Sequence, residues 1–468
     1  HGTYSASKAA AYSLSQCLRA EMRPSGIRVV HVFPGPIDDE WNQNMPPPKL
    51  APDTLASAVI KALRDGTEDV YPGDVAQEWL QRWRDNPKVL EREIAAGKLP
   101  GCVVAIARDG KLVHLEAIGW QDPESRTPMQ ADAIFSIASM TKPVAGVTAL
   151  SLIEEGRLLI TDPVGAWLPP LMKMQVAKPT PAMLAGDGPI ETEAAARPMT
   201  VQDAMRHTTG LVYGGRGGSA VHAIAPPGSF WVAENMDTES FAQTLAGLPL
   251  RHHPGTVWEY GLSTDVLGAV AERAGGASLG TLMRERIFAP LGMAETGYVL
   301  PREKLARFAK PFAKDPITGD PQSVAAPLTA PKMETGGAGL VSTASDYLRF
   351  AEMLRAGGIL NGVRVLAPQT VAWMASDHLR GIENRVAGMD AALEGYGFGL
   401  TVAVRLARGG SGFMGAPGAF GWSGVWGTYF WADPAERLSV VFMAHAPGEL
   451  RQRYRRLINM LAYQAIEA

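Results

Sequence analysis

The chain has 468 residues, 46% of them hydrophobic, with 44 Lys and Arg against 47 Asp and Glu for a net charge of −3. That is enough apolar material for two domains, or for one large domain with an appendage, and it leaves no basic field for nucleic acid or an anionic membrane surface. Cys17 and Cys102 are the only cysteines, so a disulfide framework is excluded, no zinc cluster is indicated, and both read as small buried hydrophobes. No stretch of about 18 apolar residues and no signal peptide stand out, so no membrane span is expected. The chain opens on His1 within a helical pattern rather than on Met, which places the natural N-terminus upstream and the protein in the cytoplasm as an expectation.

Residues 4–21 read as an Ala-rich helix that ends near Pro24-Ser25-Gly26. A buried-strand pattern over 27–33 follows, closed by Pro34-Gly35-Pro36; then come a helix over about 53–64 and a short strand at 69–71. This alternation, with Tyr4-x-x-x-Lys8 and Pro34-Gly35, resembles the C-terminal part of a short-chain dehydrogenase/reductase over about the first 90 residues. The resemblance implies a tyrosine general acid/base whose lysine lowers its pKa and holds a nicotinamide ribose. No glycine-rich dinucleotide turn precedes Tyr4, so the pair has no cofactor to serve. Residues 1–86 are therefore expected to be a partial Rossmann-like α/β segment without catalysis. The Ser5-Ala-Ser-Lys8 tetrad falls with it, because Lys8 already belongs to the other motif.

Beyond a junction near residues 83–87, an amphipathic helix from Val89 ends at Gly97, and a strand over 102–107 leads to a hairpin signal at Arg108-Asp109-Gly110. A second strand is expected over 112–118. Ser139 then opens a helix that runs through Val144, Val147, Leu150 and Ile153 to Glu155-Gly156. Ser139 and Lys142 fall on one face of its first turn. A serine hydroxyl is a weak nucleophile until a base takes its proton, and a lysine kept partly neutral by burial can be that base. Helix capping would explain the serine but not the lysine. The Ser139 N–H, at the positive end of the helix, points to a developing oxyanion.

From about residue 88 onward the chain resembles the serine β-lactamase-like family of penicillin-binding proteins, class C β-lactamases and family VIII carboxylesterases. Its landmarks are Gln121–Met129, Ser139-Met-Thr-Lys142, Met205-Arg-His-Thr-Thr-Gly-Leu211, Tyr260-Gly-Leu-Ser263, the Gly336–Thr343 run and Gly421-Trp-Ser-Gly-Val-Trp-Gly427. The resemblance implies a mixed α/β (α+β) fold of the β-lactamase/transpeptidase type over 87–468, an antiparallel sheet flanked by helices with a helical subdomain. It also implies that Tyr260 accepts or relays the nucleophile's proton, although Leu262 stands where the family has asparagine. Trp422, Ser423 and Gly424 occupy the place of the family Lys-Thr-Gly as substrate-binding residues, on a strand pair over 420–430 and 438–444, and Val425 supplies the second oxyanion N–H beside that of Ser139. A tryptophan for a lysine exchanges a cation for an apolar wall, which favours neutral acyl esters over anionic lactams. Glu334-Thr-Gly336 has the right ending but comes too early in the chain.

The expected activity is thus cleavage of carboxylic esters, short-chain acyl esters first, through an acyl-enzyme on Ser139, with Lys142 and Tyr260 sharing the proton. No cofactor and no metal are called for; the partners are a small-molecule ester and, as a possibility of the fold, further copies of the chain. The rival activities are a β-lactamase or D-aminopeptidase and an acyltransferase, with a reductase or a non-catalytic binding protein further off. Gly276-Ala-Ser-Leu-Gly280 matches a hydrolase elbow in letters, but a helix rather than a strand precedes it, so Ser278 reads as a helix cap. His207, His252 and His253 show no metal-ligand spacing and read as packing or loop residues. Residues 168–250, rich in Pro and Gly, read as surface loop that could cover the pocket.

Overall fold

Asp109 and Gly110 both take left-handed backbone angles, φ 54° and 77°, and turn the chain between β1 (Gly101–Arg108) and β2 (Lys111–Asp122). The hairpin expected from Arg108-Asp109-Gly110 is therefore present, with a second strand that runs four residues beyond the expected end. The computed structural model describes residues 15, 18, 19, 22, 25–84, 89–186, 188–382 and 394–466, so Tyr4, Ser5, Lys8 and Cys17 lie outside the described residues. It divides into two units, one of residues 1–99 with 112–115 and the other of 100–111 with 116–468.

In the first unit, His31–Val32 pairs in parallel with Asp69–Val70, and the helix Pro52–Asp65 ends on Gly66 in the left-handed conformation. The strand expected over 27–33 shrinks to its last two paired residues, both half-buried, because the partner strand offers only two residues to pair with.

The second unit is built on an eight-stranded sheet. Its strands are completed by β3 (Thr127–Pro128), β4 (Tyr396–Phe398), β5 (Ala403–Arg405), β6 (Phe420–Ser423), β7 (Tyr429–Asp433) and β8 (Leu438–Met443), in the spatial order β4-β5-β6-β7-β8-β1-β2-β3. β6, β7, β8 and β1 pair antiparallel in succession. The sequence expectation of one long strand over 420–430 is corrected here: the chain turns after Ser423, where Gly424 N–H bonds Thr428 O at 2.9 Å and Trp422 pairs with Phe430. Every residue of β8 is buried, as a central strand covered on both faces requires.

Four helices matter for the site: α1 (Thr141–Glu154), α2 (Ser263–Gly275), α3 (Ala344–Arg355) and α4 (Leu450–Gln464). α1 carries apolar or small residues on all sides and is buried from Thr141 to Leu152, the pattern of a helix inside a core. α2 packs along α1, α3 lies on β1, β7 and β8, and α4 on β8. Ser278 caps the helix Leu279–Met283 by accepting from Thr281 N–H, which is the role expected of it. Among the described residues, no helix is long and apolar enough to cross a membrane.

The closeness of α1 to its neighbours rests on Gly146, where a β-carbon would stand 2.1 Å from Thr401 Oγ1 on a fully buried residue. Gly146→Ala is expected to lower stability by about 1–3 kcal/mol, the usual range for overfilling a packed core. Chemical denaturation of both proteins measures this.

Candidate active site

A single 3₁₀ turn, Ala138–Met140, leads into α1 and carries Ser139. Ala138 holds φ 46°, a left-handed angle that L-residues with side chains rarely adopt and that persists only where its surroundings enforce it. The surroundings do so here. Ile137 N–H bonds Leu340 O at 3.0 Å, Ile137 O accepts from Thr428 Oγ1 at 3.3 Å, and Met140 O accepts from the Tyr347 hydroxyl of α3 at 2.7 Å. Ser139 is thereby left half-buried, facing a cavity, while Lys142 one turn on has no exposed surface at all.

Lys142 Nζ lies 3.5 Å from Ser139 Oγ, 3.2 Å from the Tyr213 hydroxyl and 2.6 Å from Gly337 O, and 4.7 Å above the centre of the Tyr260 ring. Burial by itself penalises the ammonium, but Tyr213, Tyr260 and the Asp265 carboxylate outweigh it, so the amine is held above its ordinary pKa. The partly neutral amine expected from burial is corrected on this point: a ring of oxygen atoms favours the charged form.

A chain of hydrogen bonds runs on from Lys142. The Tyr213 hydroxyl meets Ser229 Oγ at 3.0 Å, and Ser229 donates to Asp265 Oδ2 at 3.0 Å, while Gly337 N–H donates to Asp265 Oδ1 at 3.1 Å. Asp265 sits on the first turn of α2 and is fully buried. Burial pushes its carboxyl up to about 6, against the opposing pull of Lys142. At Gly337 a β-carbon would lie 2.2 Å from Ser229 Oγ and 2.5 Å from Asp265, so only glycine lets this backbone reach both Lys142 and Asp265.

None of Tyr213, Ser229, Asp265 and Gly337 was among the site residues expected from sequence. Tyr213 and Ser229 come from the Pro- and Gly-rich segment read as a covering loop, and Gly337 from the glycine run beside the rejected Glu334-Thr-Gly336. A tyrosine two residues after the Thr209-Gly-Leu211 landmark was the available signal.

Of the expected residues, Ser139, Tyr260, Trp422, Ser423 and Val425 line one cavity of about 480 Å³; Lys142 lies behind Ser139, and Gly424 is not among the lining residues. Trp422 is more than an apolar wall, because its indole N–H points at the Tyr260 hydroxyl, 3.4 Å away. Leu262 is fully buried away from the cavity, so the departure from asparagine leaves no apolar group in the site. A β-carbon on Gly424 would come within 2.4 Å of Ile137 O, so glycine allows the end of β6 to approach the Ser139 turn. Among the described residues, no acceptor takes the N–H of Ser139 or of Val425.

The residue before Tyr260 is itself fixed in place. Glu259 meets His222 Nε2 at 2.8 Å, and His252 Nε2 stands 2.9 Å from its other oxygen, off the hydrogen-bonding axis. Burial works against the Glu259 anion, yet the two histidines hold its pKa down at about 2. His207, fully buried, packs against the Tyr260 ring as a packing residue, the ring centres 4.6 Å apart and the planes tilted by 41°. No group of three metal-ligating side chains is present among the described residues.

The family model for Beta-lactamase matches residues 87–465, and that for short chain dehydrogenase matches residues 1–49. Protein Rv1367c of Mycobacterium tuberculosis is 34% identical over 372 residues, covering 78% of this chain and 90% of that protein. Esterase EstB of Burkholderia gladioli is 30% identical over 385 residues, covering 77% and 90%. Among solved structures, EstCE1, described as a hydrolase with promiscuous acyltransferase activity, superposes with a TM-score of 0.66 at 25% identity, covering 82% of this chain and 99% of that one.

The raised pKa of Asp265 has a definite sign in stability. Between about pH 4 and 6 the folded chain keeps a proton that the unfolded chain has released, so this contribution is complete below the unfolded value and is lost as the pH rises through 6. Relative to Asp265→Asn, the wild type is expected to gain on the order of 1 kcal/mol on going from pH 7.5 to 4.5. Denaturant titrations of the pair at several pH values follow it; a difference that does not change with pH would refute it.

Proposed function

Because the chain belongs to the Beta-lactamase family over residues 87–465, we propose that it is a serine hydrolase of carboxylic esters, with Ser139 as the nucleophile and Lys142 with Tyr260 as the proton-handling pair. The observation that carries this reading is Ser139 Oγ at the cavity wall with the buried Lys142 ammonium 3.5 Å behind it. The name of the esterase relative from Burkholderia gladioli supports the substrate class. Residues 87–468 hold the chemistry, and residues 1–86 take no part in it.

Ser139 Oγ attacks the ester carbonyl carbon as its proton passes to the Lys142–Tyr260 pair, which enters the step with one proton fewer than it can hold. The carbonyl oxygen gathers the negative charge between the N–H groups of Ser139 and Val425. When the tetrahedral intermediate collapses, the C–O bond to the alcohol breaks and the pair returns the proton to the leaving oxygen through Tyr260. Water then adds to the acyl-Ser139 ester, leaves its proton with the pair, and the acid departs as Ser139 Oγ regains a hydrogen. Trp422 orients Tyr260 through its indole N–H, and Tyr213, backed by Ser229 and Asp265, positions the Lys142 side chain. No step needs a cofactor.

Transfer of the acyl group to an alcohol other than water is a second reading, supported by the described promiscuity of EstCE1. It uses the same intermediate, so the two differ only in which nucleophile enters second.

With p-nitrophenyl acetate and butyrate, wild type is expected to show a burst of nitrophenol, and Ser139→Ala to lose about a thousandfold or more in kcat. An alanine variant that keeps full turnover would exclude Ser139, and nitrocefin turnover as fast as that of the esters would replace the esterase reading with a lactamase. Tyr213→Phe removes the hydroxyl that links Lys142 to Ser229, and its kcat is expected to fall roughly tenfold or more in the same assay.

A further inference from the structure

The N–H of Val425, read as the second donor of the oxyanion hole, belongs to a peptide bond whose other end is held by a charge. The carbonyl of that amide is Gly424 O. It accepts from Gly427 N–H at 3.1 Å, which closes a tight turn over 424–427, and from the guanidinium of Arg455 on α4. Gly424 N–H bonds Thr428 O at 2.9 Å and Trp426 O takes the Ala446 N–H at 2.7 Å, so the turn is pinned at its start and at its centre. Val425 itself is half-buried at the cavity wall that also carries Ser139, and among the described residues its N–H has no acceptor.

Arg451, Arg455 and Arg456 of α4 line one side of the same cavity, and Arg455 is the deepest of them, with 6% of its surface exposed. Arg455 also donates to Gln452 Oε1 at 3.3 Å, and its Nε–H is buried without a partner. Burial first, and then Arg451, lower its pKa to about 10, which leaves it charged at neutral pH; among the described residues no carboxylate is paired with it. A charge in a site of low dielectric acts on the dipole it touches more strongly than it would in water. Here that dipole is the Gly424–Val425 amide. Its atoms form one resonant unit, so a cation on the oxygen draws density from the nitrogen and makes the N–H a stronger donor. On the peptide that gives the Ser139 N–H, Ala138 O takes a neutral backbone donor, Thr141 N–H.

We propose that Arg455 is a positioning residue for the hydrolytic reaction: through Gly424 O its guanidinium polarises the Gly424–Val425 peptide and strengthens the Val425 N–H as a donor to the oxyanion. The inference rests on the ester-hydrolase reading and adds to it a residue that touches no reacting atom. The carbonyl oxygen carries its full charge only at the tetrahedral stage, so the strengthened donor favours that stage over the bound ester. A residue that merely tied α4 to the turn would make no such distinction.

The test uses the full chain and p-nitrophenyl acetate labelled at its carbonyl carbon. Rapid-mixing infrared difference spectra read the carbonyl stretch of acyl-Ser139, and steady-state assays give kcat and KM. Arg455→Gln keeps a hydrogen-bond donor but not the charge. Its kcat is expected to fall about tenfold with KM within about twofold of wild type, and its acyl carbonyl stretch to rise toward that of the ester in water. Arg455→Lys keeps the charge on a different head group, so both effects should go the same way but be smaller; it carries the test if circular dichroism shows that the glutamine variant does not fold. An unchanged carbonyl stretch in a folded variant would overturn the inference alone. So would a raised KM at constant kcat, or a loss of kcat that comes with a displaced pH profile, which would place the effect on Tyr260 instead. Wild type that gives neither a nitrophenol burst nor acyl-Ser139 by mass spectrometry would overturn the ester-hydrolase reading and the inference with it.

Discussion

A lysine ammonium with no exposed surface must find its counter-charge and acceptors inside the protein, and much of the second unit is arranged to supply them to Lys142. Gly337 O, the Tyr213 hydroxyl and Ser139 Oγ surround Nζ, and the Asp265 carboxylate stands behind them through Ser229. These groups come from the 3₁₀ turn ahead of α1, from α2, from the loop after the Thr209-Gly-Leu211 turn, from the start of the helix Ser229–Asn235 and from the glycine run at 336–339. Each must approach closely, which is why Gly337 has no room for a side chain and why α1 is buried on every side. The Ser139 turn takes its strained angle at Ala138 within the same packing, pinned by α3 and by the β6–β7 hairpin.

The cavity in front of Ser139 is divided in character. The sheet side presents aromatic rings, among which Trp422 both packs against Tyr260, 5.5 Å between ring centres, and points its indole N–H at the Tyr260 hydroxyl. The helix side presents arginines. Tyr260 packs between Trp422, His207 and Tyr213 and has the Trp422 indole N–H aimed at its hydroxyl, while its chain neighbour Glu259 is held by His222 and His252.

Ser139 and Lys142 were readable as a pair because their relation is local: three residues along a helix always share a face. The β1–β2 hairpin was readable for the same reason, since Asp-Gly accepts the left-handed angles that a tight turn demands. Tyr260 and the Trp422-Ser-Gly424 run could be located only through the ordered landmarks around them, because an aromatic at a turn has many other uses. The break in the strand after Ser423 was not legible, as Trp422-Ser-Gly-Val-Trp426 shows no strong turn residue beyond one glycine, and what bends it is the Thr428 hydrogen bond. Tyr213, Ser229 and Asp265 were missed because their pairing spans 16 and 36 residues, across a segment whose composition suggested only loop.

What could be drawn from the order of residues was therefore the identity of the nucleophile candidate, its lysine neighbour and the family resemblance, all of which depend on short spacings or on the succession of motifs. The charge state of that lysine, the relay to Asp265 and the cationic wall of α4 came from elements that are distant in the chain. Burial and electrostatic sums belong to assembled space: the same Arg455 is a solvated surface group on an isolated helix and a buried cation, bonded to Gly424 O, once α4 lies against the end of β6.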